Sequence, residues 1–331
     1  MIPQTVSTHR HILFTATFST PFIRTDRAIL ERHHTVHAVD ATGLTAIVRY
    51  LSQLPSVSVT FSWFASVYSS LLILLTKLTR TKSILVLGGV DVAKLPEVNY
   101  GIWNTPWKAA LVRYGIMHAD VVLAVDPSIR EDAMALCRYD GANIIVSPTG
   151  HDPSLWTASA QKRNGSVLTV AACGDMTRFR VKGIDFLYSV AKSMPETRFT
   201  LIGMTEEMRR TVPPPPNLTV LPPLPQETLL GHYRTAGVYF QPSMREALGS
   251  ALCEAMLCEC FPVGTHVGGI PTVIGETGRL VPYGDFEAAA EALRAGLQAG
   301  PSAAARDRII TQFSVANREE TLQSVLRGLH D

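Results

Sequence analysis

The chain has 331 residues, of which 46% are hydrophobic and 18% charged, and its 30 Lys and Arg nearly balance 28 Asp and Glu. This excludes a disordered chain, which needs few apolar residues and high net charge, and the absence of a long basic run argues against nucleic acid as a partner. The length suits two domains of about 150 residues each, and the formal charge of +2 leaves peripheral contact with an anionic lipid surface open.

The N-terminal stretch MIPQTVSTHRHILFTATF has no basic region leading into a long apolar run, so no signal peptide is expected. A strand is expected over His11–Thr15, a helix over Pro21–Arg32, a strand over Thr35–Val39 and a helix over Leu44–Gln53. From Tyr50 to Thr76 no charged residue occurs, but Pro55 and seven serines interrupt the run. It therefore reads as strand Val57–Phe61 and a buried helix, Ala65–Leu78, rather than a membrane span. Phe64, Val67, Leu71, Leu74 and Leu78 recur there at helical spacing. Strand Ser83–Leu87 and an irregular Gly88–Trp107 follow. Helix Lys108–Met117, strand Asp120–Ala124, helix Ser128–Cys137 and strand Asn143–Val146 complete the first series.

Pro148–Pro153 breaks the alternation, and the polar Thr157–Gly165 reads as a linker. A second series holds strands at Ser166–Ala171, Arg198–Ile202, Leu218–Leu221, Val238–Gln241, Phe261–Thr265 and Gly278–Val281. Its helices are expected at Gly183–Ser193, Gln226–Ala236, Gly249–Cys258, Asp285–Gln298, Ala303–Thr311 and Val315–His330. Pro213–Pro216 is a surface connector of extended type. The fold class is thus α/β, two Rossmann-like domains with parallel sheets and a cleft between them. Ligands of such sheets bind beyond the carboxyl ends of the strands.

Five cysteines stand at 137, 173, 253, 258 and 260, an odd number with no CxxC pair and no zinc spacing. They read as reduced, buried thiols of a cytoplasmic protein.

The densest chemical signal is Pro242-Ser-Met-Arg-Glu246-Ala-Leu-Gly249-Ser-Ala-Leu-Cys-Glu254. It follows an apolar strand and runs into a helix. Leu248, Gly249 and Ser250 would open that helix, whose free N–H groups suit an anion. Taken alone, Glu246 and Glu254 fit equally well as an exposed loop Glu and a solvated helix Glu. Downstream, Gly268 and Gly269 follow a buried strand and permit close backbone approach. Upstream, Gly174-Asp-Met-Thr-Arg178-Phe-Arg180-Val-Lys182-Gly183 places three cations before a helix N-terminus, a setting that suits phosphate.

Three segments in this order, VKGIDFLYSVAKSMPETRFTLIG (181–203), PSMREALGSALCEAM (242–256) and PVGTHVGGIPTVIGETGRLVP (262–282), resemble the retaining GT-B glycosyltransferases of the family-4 type. IIVSPTGHDPSLW (144–156) is similar to the family's hinge motif. The resemblance implies a nucleotide-sugar donor, UDP- or GDP-linked, as co-substrate, with no cofactor and no metal. It implies that Glu246 contacts the donor sugar, that Glu254 holds the ribose hydroxyls, and that Lys182 with Arg178 or Arg180 neutralises the departing diphosphate. Backbone at Gly174, Leu248–Ser250 and Gly268–Gly269 would complete the donor pocket. The acceptor, a glycan, a lipid-linked sugar or a small molecule, is left open, as is the oligomeric state. A silent nucleotide-sugar-binding relative and a GT-B epimerase are the alternatives.

The chain departs from the pattern at several places. The family's usual arginine falls about where Asp175 stands, and Glu259 takes the place of a usual glycine. The glycine-rich loop after the first strand is replaced by Phe18–Arg24, and the family's N-domain histidine region corresponds to Gly88–Asp91. Asp91 is the polar candidate for the cleft there, with a turn aspartate the equal alternative. The resemblance also implies that the last helix returns to the first domain, giving 1–155 with 313–331 on the acceptor side and 156–312 on the donor side.

Overall fold

The structure, a computed structural model, describes residues 9–159 and 165–329. Residues 1–8, positions 160–164 of the expected linker, and His330 and Asp331 lie outside the described residues. The chain divides into two compact units. One comprises Met1–Pro96, Tyr100–Gly150 and Val315–Asp331; the other comprises Glu97–Asn99 and His151–Ser314.

In the first unit the elements run β1 (His11–Thr15), α1 (Pro21–Glu31), β2 (Thr35–Val39), α2 (Gly43–Gln53), β3 (Val59–Trp63), α3 (Val67–Thr76), β4 (Lys82–Leu87), α4 (Pro106–His118), β5 (Val121–Ala124), α5 (Pro127–Cys137) and β6 (Ile144–Val146). The second unit adds β7 (Val167–Cys173), α6 (Met176–Val181), α7 (Ile184–Ser193), β8 (Phe199–Met204), α8 (Glu206–Thr211), β9 (Leu218–Leu221), α9 (Gln226–Thr235), β10 (Val238–Gln241), α10 (Ser250–Leu257), β11 (Phe261–Thr265), α11 (Ile270–Ile274), β12 (Arg279–Val281), α12 (Phe286–Ala299) and α13 (Ala303–Gln312). The last helix, α14 (Val315–Gly328), belongs to the first unit.

Each unit is built on one six-stranded, wholly parallel sheet. The orders are β2-β1-β3-β4-β5-β6 and β12-β11-β10-β7-β8-β9. Both are doubly wound: the chain starts near the middle, runs to one edge, then fills the other side. The reversal falls between β1 and β3 in the first unit and between β7 and β10 in the second. A crevice opens there at the carboxyl ends, because the two following connections leave toward opposite faces. Right-handed crossovers place α2, α3, α4 and α5 side by side on one face of the first sheet, while α1 meets α14.

Strands match the expected ones to within two residues at each end. Three short helices, α6, α8 and α11, are not among the expected elements. Each is five or six residues long, too short for apolar periodicity to register. α3 differs in another way. Its buried positions are Ser69, Ser70, Leu72, Ile73 and Thr76, whereas Leu74 and Leu78 of the expected core stripe are 45% and 80% exposed. The helix is apolar on nearly every side, so spacing does not select the inner face. Local bonds do: Ser66 and Ser69 form a reciprocal capping box, and Ser70 packs where Gly115 of α4 leaves room, a Cβ there falling 2.5 Å from Ser70 Oγ. Among the described residues, no helix is long and apolar enough to cross a membrane.

A buried ion pair fastens α14 to its unit. Arg318 is 2% exposed and Asp26 1%. The guanidinium donates to both carboxylate oxygens of Asp26, Nε to Oδ1 at 3.0 Å and Nη2 to Oδ2 at 2.6 Å, and Nη1 donates to Ser147 O and Oγ at 2.9 and 2.7 Å. Trp63 Nε1 donates to Asp26 Oδ2 at 3.1 Å. Helices α1 and α14, strand β3 and the loop after β6 thus meet at one carboxylate. Removing one partner would strand the other charge away from water. Asp26→Ala is expected to lower the stability of this unit by about 3–5 kcal/mol, read by urea unfolding with Trp63 as the fluorescent reporter. A loss below about 1 kcal/mol would mean that water reaches Arg318.

Candidate functional site

The reversal point of the second sheet places the loops after β7 and β10 together. Their approach is enforced by backbone. Gly183 is left-handed, with φ of +65°, and a Cβ on it would lie 1.9 Å from Pro242 O. The amides of Met244 and Arg245 donate to Val181 O at 3.0 and 3.3 Å. Only glycine at 183 lets the turn after α6 sit against the loop after β10.

This contact sets Lys182 beside Glu246. Lys182 Nζ is 2.7 Å from Glu246 Oε2, with both side chains mostly buried, at 20% and 12% exposure. The same carboxylate oxygen accepts from Gln241 Nε2 at 3.1 Å and Ser243 Oγ at 3.2 Å. Gln241 is in turn oriented. Its Oε1 accepts from Tyr239 OH at 3.0 Å, which leaves its amide nitrogen facing Ser243 and Glu246. Thr265 Oγ1, at the end of β11, donates to Ser243 O at 2.6 Å. Gln241, Ser243, Tyr239 and Thr265 are all buried. One oxygen of Glu246 is therefore held by three donors in a fixed direction.

Glu254 lies on α10, and Tyr233 OH donates to its Oε2 at 3.0 Å. Although the residue keeps part of its surface open, desolvation pushes its carboxyl up to about 7, and the Tyr233 bond opposes only part of that shift. Tyr239 feels the charges of both Glu246 and Glu254, and burial with those charges pushes its hydroxyl well above its ordinary range. It stays a neutral donor between the two carboxylates.

Gly249 caps α10, and Leu248 is buried just before it. The first amides of α10 have no helical partner, so they and the helix dipole suit an anion. The loop after β11 closes on the same place. Gly269 N donates to Glu246 O at 3.3 Å. A Cβ on Gly268, at φ of +53°, would lie 1.9 Å from that carbonyl. Gly268 is needed for the close approach, and the backbones of Glu246 and Gly269 are joined directly.

Arg178 and Arg180 sit on α6, whose N-terminus Asp175 caps by accepting from Arg178 N at 2.7 Å. Asp175 is thus a helix cap rather than a stand-in for a cation. Both arginine residues are exposed. Two positions apart on a helix, they point about 200° apart, so only one can share a side with a given ligand. Gly174 is exposed directly after β7, with only a Thr205 methyl near its missing Cβ, at 3.7 Å.

Asp91 has a different setting from the one expected for a cleft-facing group. It is 1% exposed, and its carboxylate accepts from the backbone amides of Ala65, Gly88 and Gly89 at 2.7–3.2 Å. Those bonds hold the turn after β3, where Phe64 adopts a left-handed φ of +66°. A bulky residue rarely takes that conformation. Asp91 is the turn aspartate, and it buttresses a strained backbone. Glu259 also has positive φ, at +63°, just past the end of α10, a position where the family's glycine would be unstrained. The five cysteines are free and buried, and burial pushes the thiols of Cys137 and Cys173 up to about 11.

Sequence spacing did not single out Tyr233, Tyr239, Gln241, Ser243 and Thr265. Gln241 carried a signal, since a polar side chain ends an otherwise apolar strand. Tyr233 carried none, because nothing in α9 marks it as facing Glu254.

Two parallel doubly wound sheets, one of them presenting cations, a carboxylate and a helix N-terminus at its reversal point, define an enzyme of GT-B fold. Solved structures share it. Sucrose-phosphate synthase from Thermosynechococcus elongatus superposes with a TM-score of 0.80 at 15% identity, over 97% of this chain and 99% of that one. HepE from Anabaena, solved in complex with UDP-glucose, gives 0.74 at 15% identity, over 97% and 100%. The family signature described as glycosyl transferases group 1 matches residues 168–299. Alpha-maltose-1-phosphate synthase of Mycolicibacterium smegmatis is 30% identical over 268 residues, covering 66% of this chain and 68% of that protein. The chain belongs to the glycosyl transferases group 1 family. It spans between 38% and 68% of the length of the first curated relatives it matches.

Glu254 makes the second unit sensitive to pH. Its carboxyl is raised from an ordinary 4.5 to about 7, so the folded state holds the proton more tightly than the unfolded chain. That contribution to stability is complete below pH 4.5 and is lost as pH rises through 7. Between those values the wild type should lose at most about 3 kcal/mol relative to Glu254→Gln. Urea unfolding of both proteins at a series of pH values tests this, and parallel pH profiles would show a well-hydrated carboxyl.

Proposed function

We propose that this protein transfers a hexose from a UDP- or GDP-linked donor to a glycan, lipid-linked sugar or small-molecule acceptor, with retention of anomeric configuration, as in the family-4 type. The observation that carries the reading is the 2.7 Å Lys182–Glu246 pair at the reversal point, bonded through backbone to the Gly268–Gly269 turn. The names of the relatives support a sugar-transfer reaction, and UDP-glucose in the HepE complex supports a nucleotide-sugar donor.

On this reading the diphosphate lies against the first amides of α10, at Leu248–Ser250, with Gly174 on the β7 side. Lys182, with Arg178 or Arg180, supplies positive charge as the bond from the sugar C1 to the diphosphate oxygen breaks. The bonding pair leaves on that oxygen, so nearby cations and amides lower the barrier without a metal. Positive charge develops on the sugar ring, and the fixed carboxylate of Glu246 stabilises it and orients the hexose. The acceptor oxygen bonds to C1 on the face the diphosphate leaves, and its proton passes to the departing phosphate oxygen. Glu254, once ionised, accepts from the ribose hydroxyls. The five free thiols support work in a reducing compartment, the cytoplasm.

The Lys182–Glu246 bond has a consequence for binding. Lys182 is already neutralised by Glu246, so the donor must share it. Lys182→Ala is expected to weaken UDP or GDP binding by about 10- to 100-fold in calorimetry, the worth of a charge-assisted bond. Glu246→Ala should leave the fold intact and cut turnover by at least about 100-fold. A panel of UDP- and GDP-sugars screened by thermal shift, then by product NMR, identifies the donor and the anomer formed. Binding without turnover on any acceptor would favour a silent relative, and an inverted product would overturn retention.

Nucleotide affinity should also rise between about pH 6 and 8 as Glu254 ionises. The phosphate titrates in the same range, so Glu254→Gln is the control. It should lose only the part of the slope that belongs to the carboxyl, and an identical slope in both proteins would remove Glu254 from the ribose site.

A further inference from the structure

We propose that the outer face of α2, α3 and α4 seats this protein on an anionic lipid bilayer. The three helices lie side by side on one face of the first sheet. An ordinary surface helix turns charged and polar residues outward, whereas these carry apolar side chains on the outer face as well. On α2, Ala46 and Tyr50 face the core, while Leu44, Val48 and Leu51, at i, i+4 and i+7, are 75%, 57% and 54% exposed. Beyond the end of α3, Leu78 is 80% exposed, and on α4 Trp107 and Leu111 are 59% and 40% exposed. Scattered apolar residues on a surface need no explanation, but outward stripes on adjacent helices do.

The charge of this face identifies its occupant. α2, α3 and α4 contain no acidic residue. Arg49 is exposed on α2 and Arg113 on α4, and Lys77 and Arg80 are exposed just past α3. Lys108 lies over the Trp107 ring, 5.6 Å from its centroid. Over residues 41–119 there are seven Lys and Arg against Asp91, which is buried, and Glu97; Lys77 pairs with Asp120 at 3.5 Å, and the other cations of this face are Arg49, Arg80, Lys108 and Arg113. A protein partner would need a matching acidic rim around an apolar centre. A bilayer of anionic headgroups over acyl chains supplies both, with Leu and Trp entering the headgroup boundary and Lys and Arg reaching the phosphates. No described helix can span, so the contact is peripheral.

The test uses the full chain and vesicles of phosphatidylcholine, with or without about 30% phosphatidylglycerol. Co-sedimentation is expected with the anionic vesicles, weakened by salt and at least about tenfold stronger than with neutral ones. The variant Leu44→Gln, Val48→Gln, Leu51→Gln should melt at the wild-type temperature and lose vesicle binding, since these side chains touch no core. Arg49→Glu, Lys108→Glu, Arg113→Glu should weaken it by about 100-fold or more, at about fivefold per charge. Equal binding to both vesicle types, or wild-type binding by either variant, would overturn the proposal. So would an absence of vesicle binding together with a concentration-dependent dimer, abolished by the leucine variant, in sedimentation velocity. None of these readouts needs a donor or an acceptor, so they stand apart from the sugar-transfer reading.

Discussion

The second unit depends on a contact that leaves no room for a side chain. Gly183 packs against the carbonyl of Pro242, and Val181 O takes amides from Met244 and Arg245. These bonds are main chain to main chain, so they fix the separation of the loops after β7 and β10 whatever the surrounding side chains do. The chemistry follows from that separation. Lys182 is covalently next to Gly183, and Glu246 follows Arg245. Stitching the backbones brings a long, flexible cation within 2.7 Å of a carboxylate in a crevice the parallel sheet already provides. Gly268 repeats the device on the other side, against the carbonyl of Glu246 itself. Glu246 is thus clasped through its backbone by one loop and through its side chain by another.

Behind that carboxylate is a polar layer with each member oriented by the next. Tyr239 directs Gln241, Gln241 and Ser243 direct Glu246, and Thr265 restrains the backbone of Ser243. A buried network of this kind is costly when half satisfied and rigid when complete. Here the uncharged donors sit deep and the carboxylates sit shallower. Glu246 accepts from three donors, one of them the Lys182 ammonium. Glu254 has one neutral donor, Tyr233, and burial pushes its carboxyl up to about 7. Two glutamates eight positions apart thus have different surroundings, one held by a cation and two neutral donors and the other by a single phenol.

The parallel architecture was legible because strands and helices alternate and buried strands are short apolar runs bounded by polar turns. The family resemblance drew attention to Glu246, Glu254, Lys182 and Gly268, and the structure brings Lys182 and Gly268 against Glu246. What spacing did not show was how they are held. α6 is too short to leave a periodic trace, so Arg178 and Arg180 read as loop cations when they are on opposite sides of a helix turn. Asp91 read as a cleft candidate because it falls where the resembled family has its N-domain histidine region, with a turn aspartate as the equal alternative. Its three amide partners come from two separate loops, 64–66 and 88–91, and their meeting is a tertiary fact. Asp26 likewise gave no hint of Arg318, which lies 292 positions away.

The inward fate of these two aspartates bears on the outside of the same unit. Asp91 and Asp26 are both consumed in buried bonds, one holding a strained turn and one holding α14. With Asp91 turned inward, the segment from α2 to α4 keeps an excess of cations at its surface, of which Lys77 pairs with Asp120. That segment is also where apolar periodicity failed. Leucines on every side of α3 make its inner face unreadable from spacing, since a hydrophobic outer face and a hydrophobic inner face give the same pattern. Serines at the Ser66–Ser69 cap and at the Ser70–Gly115 contact choose the inner face instead. The ambiguity in the sequence and the apolar surface in the fold are one property: these helices carry apolar side chains both against the protein core and at the surface. A helix facing water would have carried glutamates there, and its periodicity would have been plain.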